Sequence, residues 1–390
     1  MKTADPELMR AINRVHVMDT IRRFGPISRT EISERTELSP TTVSAITALL
    51  LADNLIAPHA VGAIRDATRG RPRVMLELNP SAAYVVGVKL TPDQITIATT
   101  NFRADVMNAL SLPIRIDRQS VPVIADLVED GIRRSVADAS LTIEGISGVC
   151  VGLPGVVERE SGLCRQSPIF NTPDVPFGKE LSDRLGLSVT VDTDVNLVTL
   201  AEHWFGQGRG LDDFLVVSLE HGVGLGIMHK GELFRGANGR GPDLGDLLVA
   251  DPRQDGRNAP SRLADVVSTA LKPNGAGNGS KSKPANAEVY RAVGDAVGMA
   301  IANLITLFAP PKVILAGAGL AIGDDLLDPL REAVASLTPS SLADVAEVVV
   351  HEWNDETWAR GAAAMTLRDL YGAPWSTTGP ASGPQRNGGG

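Results

Sequence analysis

Between Ile27 and Ile56 the chain reads ISRTEISERTELSPTTVSAITALLLADNLI, and no other stretch restricts its fold as much. Ser28 followed three residues later by Glu31 is a capping box, which starts a helix by satisfying two orphan backbone donors. Ser39 can cap a second helix, with Pro40 at the first helical position, where its missing N–H costs nothing. Val43, Ile46 and Leu50 recur at helical spacing and form one buried face. Thr41, Thr42 and Ser44 lie off that face. With the helix expected over Leu8 to Phe24, these elements make a compact trihelical head. Heads of this kind place their second helix in the DNA major groove.

Leu55 to Pro58 and Val74 to Leu78 have strand character and bracket Arg69-Gly70-Arg71-Pro72, the layout of a β-hairpin wing. Glycine permits close backbone approach, and Arg69 and Arg71 suit a narrow, electronegative A·T minor groove. Residues 1–80 hold 11 Lys+Arg against 9 Asp+Glu, while the remainder holds 26 against 37. A mildly basic head on an acidic body keeps the body off phosphate. So weak a positive balance gives little counterion release, so specific binding is expected to need two heads on a palindromic operator.

There is no early apolar segment and no apolar run of about 18–20 residues, so neither a signal peptide nor a membrane span is expected. The cysteines Cys150 and Cys164 offer no disulfide framework. Together with a DNA-binding head this points to the cytoplasm. Leu271 to Ala287 reads as a Gly/Asn/Ser/Lys/Pro loop, and residues 372–390 form a Gly/Pro-rich tail expected to be disordered.

From Ala82 onward the pattern alternates. Strands are expected at Tyr84 to Lys89, Gln94 to Thr100, Ile146 to Val151, Ser188 to Asp192, Asp213 to Leu219, Val223 to His229, Lys312 to Ala316 and Glu347 to His351. A helix over Val121 to Asp138 and others lie between them. This predicts an α/β body of two lobes over residues 81–371, with ligands at strand ends.

Three motifs follow in order. They are Gly152-Leu153-Pro154-Gly155; then Asp192-Thr193-Asp194-Val195-Asn196; then Gly222-Val223-Gly224-Leu225-Gly226 leading to Gly231-Glu232. In this order and spacing they resemble the ROK family (repressors, open reading frames and kinases). The helix-turn-helix, the wing and Leu78-Asn79-Pro80 resemble its repressor branch. The resemblance implies a winged helix-turn-helix over residues 1–80, followed by a two-lobed actin/hexokinase-like, ribonuclease H-like body. It also implies a sugar in the cleft and a homodimer or homotetramer. Gly155, Asn171, Asp194 and Asn196 are ligand contacts it implies, and in a kinase Asp194 would take the proton from the sugar hydroxyl. Asp243 and Asp246 stand where the family has a Glu that grips sugar hydroxyls and a His, and as carboxylates that suit bidentate hydroxyl binding they complete the expected ligand set.

The chain departs from that pattern at telling positions. Where the kinases carry Asp-x-Gly-Gly-Thr to hold phosphate and Mg²⁺, this chain has Lys89-Leu90-Thr91-Pro92-Asp93. Where the second phosphate loop carries Gly-Thr, it has Glu220-His221. Phosphoryl transfer rests on positioning and charge neutralisation, so the body reads as a sensor without catalytic residues or cofactor. The family's zinc-ligand positions hold Asp246, Asp255, Arg257 and Arg262, a set that cannot replace thiolate and imidazole, so no metal is expected. The overall expectation is a repressor of carbohydrate-related genes. Two other readings stay open: a sugar kinase that keeps activity, and a ligand-independent DNA-binding protein with a decayed sensor.

Overall fold

The computed structural model describes residues 6–59, 74–117, 119–220, 222–236, 241–250, 260–271, 284–351 and 355–372. The head consists of α1 (Pro6–Phe24), β1 (Ile27–Ser28), α2 (Arg29–Thr36), α3 (Pro40–Ala52), β2 (Ile56–Pro58) and β3 (Met75–Leu78). Both caps form. Glu31 N–H donates to Ser28 Oγ at 3.3 Å while Ser28 N–H donates to the Glu31 carboxylate at 3.0 Å. Thr42 N–H donates to Ser39 Oγ at 3.1 Å. The three strands pair in the order β1-β3-β2, antiparallel throughout. The tip between β2 and β3, with Arg69 and Arg71, lies outside the described residues, as do most of the loop at 271–287 and the tail.

The first lobe holds β4 (Tyr84–Thr91), β5 (Gln94–Asn101), β6 (Val106–Leu112), α4 (Val121–Asp138), β7 (Ile146–Leu153), β8 (Val156–Glu158), β9 (Leu163–Gln166), α5 (Phe177–Leu185) and β10 (Val189–Thr193). Then comes α6 (Asp194–Phe205). The second lobe holds β11 (Phe214–Leu219), β12 (Val223–His229), β13 (Glu232–Leu233), β14 (Leu248–Ala250), β15 (Pro260–Arg262), α7 (Leu263–Leu271), α8 (Pro284–Phe308), β16 (Lys312–Ala316), α9 (Asp324–Leu337) and β17 (Glu347–Val350), and α10 (Asp355–Gly372) closes the chain.

The two five-stranded sheets share one plan. Their orders are β10-β7-β4-β5-β6 and β13-β12-β11-β16-β17. In each, a three-stranded antiparallel meander is followed by two strands parallel to its first member. The central strands are continuous apolar runs, because helices cover both faces. β6 escaped the sequence reading. It is an edge strand whose residues alternate between half-buried and exposed, so it lacks the apolar run that marks the central strands.

Two helices cross between the lobes. α6 leaves the first lobe and packs on β11 and β12 of the second. α10 leaves the second lobe, packs on β4, β5 and β7 of the first, and lies against α6. The core around these two helices is continuous with the core of the head: Val17, Met18, Ile21 and Leu50 belong to the same cluster as Leu200, Trp204 and Tyr371. Separate cores lie beneath α4 and α5 and beneath α7, α8 and α9. Within α8, Ala287–Phe308 is long and apolar enough to cross a membrane, and 61% of its most apolar window is buried inside the fold. Val293, Val297, Ile301 and Ile305 supply the core of the second lobe.

Candidate effector cleft and DNA-reading face

Parallel strands bring ligands to their C-terminal ends, and β7, β10 and β11 all end at one cleft of about 610 Å³ between the lobes. After β7 the chain must turn against β9. Gly155 does this at φ +120°, where an added Cβ would lie 2.1 Å from the Gln166 carbonyl oxygen, so only glycine fits. β10 passes into α6 without a loop: Thr193 is both the last strand residue and the helix N-cap. This sets Asp194 at the first helical position, half-buried on the cleft wall. Asn196, only 3% exposed, also lines the cleft, and its amide donates to Asp192 Oδ1 at 2.8 Å.

Asp192 anchors this turn. Its Oδ1 accepts from Thr193 N–H at 2.8 Å, and its Oδ2 faces Arg235 at 2.7 Å and Arg159 at 3.5 Å. The side chain is only 2% exposed, so these partners replace the water it has lost. Asp243 and Asp246 approach from the second lobe. Asp243 Oδ1 accepts from Gly245 N–H at 2.9 Å, and Asp246 pairs with Arg262. Gly155, Asp194, Asn196, Asp243 and Asp246 therefore face one space. Asn171 is exposed and is not part of the cleft lining.

Lys89, near the end of β4, meets Glu220, which follows β11 and lines the cleft. Lys89 Nζ lies 2.8 Å from Glu220 Oε1, with the two side chains 5% and 9% exposed. Nζ also stands 4.3 Å from the ring centroid of Trp358, a cation–π contact. The other Glu220 oxygen accepts from Ala318 N–H at 2.6 Å. One buried ion pair thus ties the first lobe to the second.

The far end of α6 meets the head. Arg23 Nη2 lies 3.0 Å from His203 Nε2, and the Arg22 guanidinium sits 4.2 Å above the Trp204 ring. Trp204 stacks on Tyr371, with centroids 5.6 Å apart and planes within 6°. Asp19 bridges both arginines, at 2.7 Å from Arg22 and 2.6 Å from Arg23. Burial pushes the Asp19 carboxyl up, but the two guanidiniums outweigh it and hold it below its ordinary value. Burial, aided by Arg23 and Arg22, pushes the His203 imidazole down to about 3. The ring is therefore neutral near pH 7 and accepts from Arg23 at Nε2. This junction escaped the sequence reading, since Asp19, Arg22 and Arg23 read alone as the charged end of a helix.

A model of the ROK family matches residues 86–260 and 276–369. The chain belongs to the ROK family. It is 26% identical over 399 residues to the xylose repressor of Caldicellulosiruptor bescii, covering 94% of this chain and 98% of that protein. It is 32% identical over 281 residues to the glucokinase of Thermotoga maritima, covering 63% of this chain and 87% of the kinase. The crystal structure of a ROK family transcriptional regulator, a homolog of the E. coli MLC protein, superposes with a TM-score of 0.72 at 23% identity, over 93% of this chain and 97% of that one. The repressor and the regulator match head and body together.

Within the ROK frame, the kinase-like positions carry different loads here. Lys89 and Glu220, each a departure from the kinase pattern, are ion-pair partners. Complementary charges at two neighbouring phosphate loops were the signal that could have revealed the pair. Gly224 and Gly226, which a kinase would turn to phosphate, lie instead against Val195 and Thr199 of α6. Of the four zinc-ligand positions, Asp246 and Arg262 form a mostly exposed ion pair, while Asp255 and Arg257 lie outside the described residues. Among the described residues no three His, Cys, Asp or Glu side chains converge to hold a metal.

On α3, Thr41 and Ser44 are exposed, while Val43, Thr47 and Leu50 are buried. Thr42 is half-buried, and its hydroxyl lies 2.8 Å from Ser39 Oγ. Thr47 takes the place expected for Ile46 on the fully buried face. Its hydroxyl donates to the Val43 carbonyl at 2.8 Å and accepts from Arg29 Nε at 2.9 Å, so a polar residue is buried there without loss.

Proposed function

We propose that this ROK protein is a transcriptional repressor of carbohydrate-related genes. Its head binds a two-fold operator as a dimer, and its cleft takes a sugar-like effector without transferring phosphate. The observation that carries the reading is the Lys89–Glu220 pair. A kinase must present an electropositive, metal-holding floor to the transferring phosphate. Here the lining group is the Glu220 carboxylate, already bound to the buried Lys89 ammonium through one oxygen and to the Ala318 N–H through the other. The carboxylates of Asp194, Asp243 and Asp246 remain on the walls, where they suit paired hydroxyls. The head-and-body match to the xylose repressor supports the same reading.

The glucokinase match and the retained Asp194 favour a second reading, an active sugar kinase. A coupled assay separates the two. We expect no sugar-dependent ADP release with D-glucose or D-xylose, together with a thermal shift by at least one sugar. Sugar-dependent ADP release that disappears in Asp194→Asn would establish the kinase instead. The dialysed protein should carry no stoichiometric zinc by elemental analysis, and about one zinc per chain would overturn the alignment of the Asp246–Arg262 loop.

A further inference from the structure

We propose that α6 is the coupling element of the molecule: occupancy of the cleft, felt at Asp194 and Asn196, is transmitted along the helix to His203 and Trp204 and sets how firmly the DNA-binding head is held against the body. The proposal rests on the sensing role given above and adds the route by which sensing reaches DNA.

Four observations carry it. The helix has its first residues on the cleft and its last residues on the head. Its twelve residues span about 18 Å as a rigid rod. It is joined to β10 with no intervening loop, so displacement of its N-terminus is not absorbed by a flexible segment. Every residue from Val195 to Trp204 is buried, and the packing is close enough to deny sliding past neighbours. A Cβ at Gly226 would lie 1.8 Å from Thr199 Oγ1, and one at Gly361 would lie 2.7 Å from the Leu197 carbonyl oxygen. Close-packed elements shift as units between discrete arrangements rather than deforming gradually.

The head end is built to register such a shift. The Arg23–His203 contact at 3.0 Å and the Arg22–Trp204 contact at 4.2 Å are both directional. His203 Nδ1 is buried with no hydrogen-bond partner among the described residues, so the ring depends on Arg23 for its polar contact. Asp212 at 3.5 Å from Arg23, and Arg209, which donates to the Arg23 carbonyl at 3.1 Å, extend the seam just beyond the helix. A movement of α6 that breaks Arg23 from His203 leaves the buried His203 ring without a polar partner, while Arg23 keeps Asp19 at 2.6 Å, so the contact is costly to lose on the body side.

The test follows hydrogen exchange in the α1 segment 15–24 of the full chain, with and without D-xylose or D-glucose. Binding of each sugar is measured separately by thermal shift. In wild type, a sugar that raises the unfolding midpoint should change α1 exchange by about threefold or more. In His203→Ala, and in Arg23→Met on the head side of the contact, the midpoint rise should persist while the α1 response disappears. A binding sugar that leaves α1 exchange unchanged in wild type, or changes it equally in both variants, overturns the relay and leaves the sensor standing. If neither sugar raises the midpoint of wild type, the sensing role falls and the relay falls with it.

Discussion

Replacing Lys89 by methionine strands the Glu220 carboxylate in a site where it is 9% exposed. Removing one partner of a buried pair costs about 3–5 kcal/mol, because the other charge is left uncompensated. Lys89→Met should therefore lower the denaturant midpoint markedly, and Lys89→Met/Glu220→Gln should recover most of the loss. Equal destabilisation in the single and double variants would show that the pair holds nothing together. His203 adds a pH dependence. Its folded value of about 3 lies below the ordinary 6.5, so the unfolded chain takes up a proton that the docked imidazole refuses. The contribution is fully present above about pH 6.5 and is lost as pH falls from there toward 3. Asp19, Arg22, Arg23 and Arg368 all bear on this ring, so the comparison is with His203→Gln. Between pH 7 and 5 the unfolding free energy should fall more steeply in wild type than in that variant, and parallel slopes would refute the assignment.

The second helix of the helix-turn-helix, α3, carries no basic residue, so under the proposed function its reading of DNA would rest on hydroxyl and methyl contacts from Thr41, Thr42 and Ser44, with Arg69 and Arg71 supplying charge. Ser44→Ala and Thr42→Ala should weaken specific binding in a gel-shift series. Thr42→Ala also removes a partner of the Ser39 cap and should cost some stability, whereas the exposed Ser44 should not. Arg71→Ala should act chiefly at A·T-rich flanks. Unchanged affinity in all three would remove this face from the interface. The head was legible from residues alone because capping and turn chemistry are local: Ser28, Glu31, Ser39 and Pro40 determine their helices whatever surrounds them. β6 and the α6–α1 seam were not, since an edge strand loses its apolar run and a tertiary contact such as Arg23–His203 spans 180 residues. The same limit hid the Lys89–Glu220 pair, whose members lie 131 residues apart. Each was visible as an oddity, and only folding made them partners.

At the scale of the whole molecule, the repeated sheet plan places the cleft between the lobes and leaves α6 and α10 to cross between them. The head shares its core with that crossing layer, so it is not a tethered bead. Under the relay proposed above, a small movement between the lobes would reach DNA by this route. Two heads on a dimer should read half-sites about one helical turn apart, or a multiple of it. Fragments selected from genomic DNA should show that spacing, and a single unpaired half-site bound at full affinity would contradict it. The most direct test is the operator-binding isotherm of such a fragment, measured with and without the sugars that shift thermal stability. For wild type, at least one sugar should change operator affinity about tenfold or more. Asp194→Asn should weaken that sugar by about 1.5–3 kcal/mol, roughly ten- to over a hundred-fold, while leaving sugar-free DNA affinity intact. Operator affinity indifferent to every stabilising sugar, or a sugar response that Asp194→Asn leaves untouched, would contradict the account.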